Sequence, residues 1–282
     1  MPASPSSSAQ EARRSLAARL GEIRRDGGLS GKALAARCGW SPAKVSRIEN
    51  AKTPPSDADI HAWCTACGAK ERAPDLVAAN RSVDSLYVEW RRIHRDGLRH
   101  SQNAMVPLYE RTRTFRVYCS NVVPGLLQTP GYASALLNAI TAFQGTPDDV
   151  SSAVAARMAR SRVIHAPRHT FAFLVEESVL RNRIADPSVM AGQLGHLLAI
   201  MSLPSVALGI VPFTAQRGMW PLETFMIFDD DSVQVELLTA FVNVVAPGDI
   251  ATYGHAFTSM QELAVYGSAA RTLITSAIDA LG

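Results

Sequence analysis

Apolar and polar positions along this chain follow two periods, and the switches between them mark out its elements. From Ala9 to Arg25 apolar or small residues recur at helical spacing (Ala12, Leu16, Leu20, Ile23) with arginines between them. That pattern predicts an amphipathic helix, stopped by Asp26, Gly27 and Gly28. Ser30 is placed to cap a second helix over Lys32 to Cys38, which Gly39 can end in the left-handed conformation. Ser41 and Pro42 then read as N-cap and first residue of a third short helix, Pro42 to Asn50. Beyond the loop KTPPS a fourth helix is predicted over Asp57 to Cys67, with Ile60, Trp63, Cys64 and Cys67 on its inner face and Gly68 at its end.

Helical pattern continues from Pro74 to Asp96 with Leu86, Val88, Trp90 and Ile93. Farther on the periods mix. Phe115 to Cys119, Thr170 to Val175, Ser205 to Val211, Thr224 to Phe228 and Ser232 to Leu238 read as strands. Tyr132 to Ile140, Asp148 to His165, Ser188 to Met201 and Asp249 to Leu281 read as helical. The expected fold class is an all-α N-terminal bundle followed by a mixed α+β C-terminal domain. Its expected divisions are a disordered Ser/Pro tail over 1–8, the bundle over 9–72, a helical connector over 73–96 and the second domain over 97–282.

Composition, at 47% hydrophobic and 19% charged residues, is ordinary for a globular chain of 282 residues and excludes fibrous or disordered classes. Charge adds more. Up to Arg72 there are 12 Lys+Arg against 7 Asp+Glu, and after it 16 against 18, so a small basic domain precedes a slightly acidic one. A polyanion is the natural partner of the first. The start MPASPSSSAQ has neither the charged nor the apolar region of a secretory signal. Leu197 to Gln216 is uncharged over a near-spanning length of about 20 residues, yet Pro204, Gly209 and Pro212 interrupt it. Four cysteines (Cys38, Cys64, Cys67, Cys119) fit reduced thiols, so a cytoplasmic protein without a membrane partner is expected.

Leu29 to Asn50 (LSGKALAARCGWSPAKVSRIEN) combines a short helix, a glycine-containing turn and a second short helix. Leu34, Ala35, Val45 and Ile48 face inward, which leaves Lys44, Ser46 and Arg47 outside. The pattern resembles the helix-turn-helix of the Xre/Cro family of phage-repressor-like regulators, with VSRIEN followed by TPPS as its most specific part. The resemblance implies a lambda-repressor-like bundle whose third helix enters the major groove of an operator. It places Ala43, Lys44 and Arg47 toward base edges, and Gly31, Lys32, Ser41, Ser46 and Lys52 with them as DNA-binding positions. Arg47 can bond two acceptors of guanine, Ala43 only a methyl group. Gly31 stands where many relatives carry a polar residue, so a side-chain phosphate contact is missing there. Arg24 and Glu49 occupy positions where relatives have a structural ion pair.

In the second domain, Val123 to Ala133 (VPGLLQTPGYA), preceded by Glu110 and FRVY, resembles the signature of the actinobacterial domain DUF5753. RMARSR at Arg157 to Arg162, FLVEESVLR from Phe173, QLGHL from Gln193, Ile210 to Pro212, and Val235 with Glu236 add to that resemblance. The whole chain is similar to WhiJ-like, antitoxin-like regulators of development in Streptomyces and its relatives. That similarity implies a small DUF397-type protein as partner, while a homodimer on double-stranded DNA is expected because one short recognition helix reads too few base pairs for useful specificity. One departure is Ser161, where a glutamine usually follows the arginine. Pro124, Gly125, Leu126, Leu127, Gln128 and Tyr132, with Arg157 and Arg160, are the expected partner- or ligand-binding residues. For the turn, the competing reading is a structural corner with core leucines. For the arginines, including Arg162, it is a solvated helix face.

Other constellations are weaker. Glu176, Glu177 and Glu236 lie at or in strands, so an ADP-ribosyltransferase-like enzyme fused to a DNA-binding domain stays open, as does a small-molecule-sensing regulator. No nucleophile elbow, P-loop, dinucleotide fingerprint or zinc-protease motif occurs, and the expectation is no enzyme, no catalytic residue and no cofactor. His61, Cys64 and Cys67 recur every three residues on one helix, which suits small core residues better than a tetrahedral metal site. Asp229 to Asp231 reads as a polar hairpin.

Overall fold

Three serines set the entries of the first helices. The hydroxyls of Ser30, Ser41 and Ser56 accept from the backbone N–H groups of Ala33, Lys44 and Asp59, and so start α2 (Gly31–Cys38), α3 (Pro42–Glu49) and α4 (Asp57–Ala66). Each satisfies a donor that a helix start otherwise leaves open, and Asp59 returns a bond to Ser56 N in a capping box. Gly39 closes α2 with φ 67°, a left-handed position that costs glycine nothing. The structure, a computed structural model, describes residues 5–82, 87–89, 94, 97–238 and 240–282. These divide into two compact units, 1–87 with 244–250 and 88–243 with 251–282.

In the first unit α1 (Pro5–Asp26) starts inside the stretch expected to be a disordered tail. Proline fits a first helical turn because no N–H is needed there. Leu16, Leu20, Ile23, Leu34, Val45, Ile48, Ile60 and Trp63 form the core, and the Trp63 indole N–H donates to Leu20 O at 3.0 Å. Ala73, Leu76 and Val77 of α5 (Ala73–Ser82) are buried in that same core. The bundle therefore continues past Arg72, and the first part of the expected connector is one of its helices. Farther along, Tyr87–Glu89 forms a strand, β1, and not a helix. Its short apolar run carries no periodicity able to separate the two. Leu86, Trp90 and Ile93 fall outside the described residues.

A mixed sheet with strand order β1-β7-β6-β5-β2-β3-β4 carries the second unit. β2 (Thr114–Cys119), β3 (Thr170–Glu176) and β4 (Val206–Val211) run parallel, with Phe115 opposite Phe171 and Phe171 opposite Val206. β5 (Phe225–Phe228) joins β2 antiparallel and pairs in a hairpin with β6 (Ser232–Glu236), followed by β7 (Ala240–Val244). In β2 and β3 nearly every residue after the first is buried or half-buried, as in strands covered on both faces. Parallel neighbours need long crossovers, and helices supply them: α8 (Pro130–Gln144) and α9 (Val150–Ser161) between β2 and β3, then α10 (Glu177–Arg181) and α11 (Pro187–Ile200) between β3 and β4.

Before β2 lie α6 (Leu98–Ala104) and α7 (Val106–Arg111), too short to show an apolar stripe in sequence. Asp149 reaches α6 from the α9 side and accepts from Leu98 N at 2.9 Å and Arg99 N at 2.8 Å. The chain ends in α12 (Pro247–Leu263) and α13 (Gly267–Asp279). Phe115 stacks on Phe171 at 4.7 Å within a core that also holds Phe173, Phe228, Leu194 and Ile274. Asp229 turns the β5–β6 hairpin at φ 50°, while its carboxylate accepts from Thr114 N at 2.8 Å. A Cβ on Gly209 would lie 2.7 Å from the Tyr266 ring, so this strand position needs glycine for its close approach. Among the described residues no helix is long and apolar enough to cross a membrane.

Candidate functional site

The third helix owes its pose to its two faces. Val45 and Ile48 are buried at 1% and 2% exposure, which turns Ala43, Ser46 and Arg47 outward, all three exposed. Lys32 and Lys52 are exposed as well, and Gly31, half-buried, opens α2 with ordinary clearance to Val45. Ser41 spends its hydroxyl on the cap, at 3.3 Å from Lys44 N. The Ser46 hydroxyl and carbonyl both receive the Asn50 amide, the carbonyl at 2.7 Å. Behind the helix Arg24 meets Glu49 through Nε to Oε1 at 2.6 Å and also donates to Leu29 O at 2.6 Å. Through these bonds Arg24 ties α1 to α3 and to the segment just before α2.

Lys44 does not stand free on the outer face, as its place in the helix suggested. Its ammonium reaches Asp59 Oδ1 at 2.5 Å and lies 4.3 Å from the centre of the Trp40 ring. Burial alone would raise the Asp59 carboxyl, but the bonds from Lys44 and Ser56 outweigh it and hold the group below its usual 3.8. A residue already serving an ion pair and an aromatic face must leave them to reach a base. Arg47 is the exposed cation in the middle of the helix.

In the second unit the VPGLLQT turn is internal. Pro124, Leu126, Leu127, Gln128 and Tyr132 are buried and Gly125 is half-buried, so this turn is a structural corner and not an open binding edge. Its bonds close on themselves. Tyr132 Oη accepts from Val123 N at 3.2 Å, Gln128 donates to Val123 O at 2.7 Å, and Gln193 joins Leu127 O and Thr129 N, both at 2.7 Å. Thr129 caps α8, while the Gln128 side-chain oxygen accepts from Arg157.

The arginine helix also differs from a solvated face. Arg157 and Arg160 point inward: Arg157 donates to Gln102 Oε1 at 3.2 Å and to Gln128 Oε1 at 2.6 Å, and Arg160 to Gln102 O at 3.2 Å. The Arg160 guanidinium lies 4.8 Å from the centre of the Tyr109 ring. Burial, and after it the neighbouring Arg160 charge, lowers Arg157 to about 10. The Ser161 hydroxyl lies 2.9 Å from Arg157 O in its own helix and 3.3 Å from Gly125 O in the turn, and its one proton serves the nearer first.

The strand-end carboxylates are occupied. Glu176 accepts from Tyr118 Oη at 2.8 Å and from both terminal nitrogens of Arg217, and Glu177 accepts from Arg181 and from Phe213 N at 2.9 Å. Both carboxylates are thus engaged on each oxygen by partners within the fold. Glu236 is exposed. On α4, His61 is exposed and Cys64 sits in the core, where burial raises its thiol to about 11. Among the described residues no group of three His, Cys, Asp or Glu is placed to hold a metal.

Sequence reasoning missed Trp40 and Asp59 around Lys44, Gln102 and Tyr109 around the arginines, and Arg217 on Glu176. The local signal for Asp59, a serine three residues before an acidic residue, announces a cap and not a partner for Lys44. The others leave no local signal.

Comparison with known families agrees with the two units. A family model described as a helix-turn-helix domain matches residues 15–77, and one described as a domain of unknown function (DUF5753) matches residues 102–276. No curated protein matches the chain. Since the second match spans more than half of the sequence, the protein belongs to the DUF5753 family, and its helix-turn-helix domain makes it a DNA-binding regulator.

Proposed function

We propose that this protein is a sequence-specific transcriptional regulator of the antitoxin-like kind. Its helix-turn-helix unit binds a double-stranded operator, and its DUF5753 unit receives a small DUF397-type protein. The observation that carries the DNA reading is the capped third helix with Ala43, Ser46 and Arg47 exposed in a row on a basic unit. In this reading Arg47 reads a base edge, Ala43 touches a methyl group, and Lys32, Lys52 and the N–H groups near Gly31 and Ser41 hold phosphates. Lys44 joins them only by leaving Asp59. One short helix reads few base pairs, so a homodimer on two half-sites about one helical turn apart follows. Its place is then the cytoplasm, on the nucleoid.

The partner is supported by the resemblance of the whole chain to actinobacterial regulators that sit beside such genes. The DNA reading is tested by gel shift of the full chain on operators selected from random DNA. Arg47→Ala is expected to lose about 1–3 kcal/mol of specific binding and keep its fold. Unchanged affinity in the variant would remove Arg47 from the reading set. Chromatin immunoprecipitation with and without the adjacent DUF397-type gene tests the partner. Identical occupancy in both strains would reject it.

A further inference from the structure

Two guanidiniums on one helix face, turned inward, normally meet carboxylates, because a charge taken from water must be paired. Arg157 and Arg160 stand three residues apart on α9 and so face the same way. Their protein partners are neutral: the side-chain oxygens of Gln102 and Gln128 and the backbone oxygen of Gln102. Among the described residues, no carboxylate comes within ion-pair distance of either. The Arg160 Nε is buried and bonds to nothing. Glu236 acts on Arg157 only through space, so among the described residues the two guanidiniums and this one carboxylate sum to a single positive charge.

Arg157 bonds through Nε and Nη1 and Arg160 through Nη1, so the second terminal nitrogen of each has no hydrogen bond to a described residue, and the Arg160 Nε is buried without a partner. Unbonded guanidinium N–H groups on two arginines of one helix face suit the two oxygens of a carboxylate, which such groups hold bidentately. Single negative charge fits the single excess positive charge, whereas a dianionic phosphate exceeds it. Tyr109, against which Arg160 lies, offers an aromatic face, and its own hydroxyl is taken by Met226 Sδ at 3.3 Å.

We propose that Arg157 and Arg160, supported by Gln102, Gln128 and Tyr109, form a binding site for one carboxylate group in the second unit. That group belongs either to a free organic acid or to an Asp or Glu side chain of a protein. The site's regulatory meaning rests on the function proposed above. Binding itself is read without DNA, so failure of the carboxylate site and failure of the operator reading are separate results.

The test titrates full-length protein carrying 15N-arginine with propionate, at ionic strength held constant with chloride, while the Arg Nε–Hε resonances are followed. The Arg160 resonance, assigned by its loss in Arg160→Lys, is expected to shift saturably with propionate and not with chloride. Arg160→Lys keeps the charge but loses the fork and the orphan N–H, so propionate should bind at least about tenfold more weakly, read from the Arg157 resonance. A linear shift, an equal response to chloride, or tighter binding of inorganic phosphate would overturn the proposal. So would an unaltered affinity in Arg160→Lys. Should that variant not fold, Arg160→Gln supplies the assignment, and the wild-type titration then decides between saturable and absent binding. The blocked peptide acetyl-Ala-Glu-Ala-amide separates the sources: tighter binding than propionate assigns a protein side chain, and weaker binding a free acid.

Discussion

Glu176→Ala separates a structural carboxylate from a reactive one. Glu176 is 5% exposed and holds the Tyr118 hydroxyl and both terminal nitrogens of Arg217. Removing it leaves the Tyr118 proton without its acceptor and Arg217 without its counter-charge. Deleting one member of a buried pair costs about 3–5 kcal/mol. The Arg217 side chain is 24% exposed and regains some water, so we reduce the figure to about 2–3 kcal/mol. For a unit of this size that corresponds to a fall of about 5–10 °C in the unfolding midpoint. Calorimetry of the full chain reads it, with the two units' transitions fitted separately. Arg217→Ala should account for much of the same loss, so the double variant should fall well short of the sum. A carboxylate kept strained for catalysis behaves the other way, because its removal relieves the strain. An unchanged or raised midpoint in Glu176→Ala would therefore refute the structural role and return the enzyme reading.

Other consequences are open to direct measurement. Asp59→Asn releases Lys44 and weakens the α4 capping box, and should destabilise the first unit by about 1 kcal/mol at neutral pH in a urea melt. The folded Asp59 carboxyl lies below 3.8, so its contribution is present above that pH and is lost as pH falls through the lower folded value. The gap between wild type and variant should close with acidification in the same way, and a gap constant with pH would argue against the pair. The freed lysine should also make the salt dependence of operator binding steeper by about one unit of slope, read from gel shifts across salt concentrations. Arg24→Ala removes the Glu49 pair and the bond to Leu29 O, and a loss of about 1–2 kcal/mol in the same urea melt is expected. Gly209→Ala drives a methyl group into the Tyr266 ring and should cost about 1–3 kcal/mol, partly recovered when Tyr266→Ala is added. Thermal melts of the single and double variants check the recovery.

Much of the fold is legible in the sequence, and the legible part is the local part. Ser30, Ser41, Gly39 and Pro42 act on backbone groups within four residues of themselves, so capping chemistry alone places the helix-turn-helix. Runs such as Phe171 to Val175 declare strands because every member is apolar or small. Where a run is short, as at Tyr87–Glu89, or a helix spans fewer than two turns, as at Val106–Arg111, periodicity has too few positions to speak.

The sites divide along the same line. Spacing by itself determined that Val45 and Ile48 face away from Arg47, and that Arg157 and Arg160 share a side of their helix. Only the tertiary structure decided what those sides meet: Lys44 turned onto an aspartate 15 residues away, Glu176 met by an arginine 41 residues on, Arg157 bonded to a glutamine 55 residues before it. A helix specifies the relative directions of its side chains through its 3.6-residue turn. Whether a direction is inward or outward depends on which distant segments pack there, and burial then decides whether a charge is a solvated ornament or a group that needs a partner.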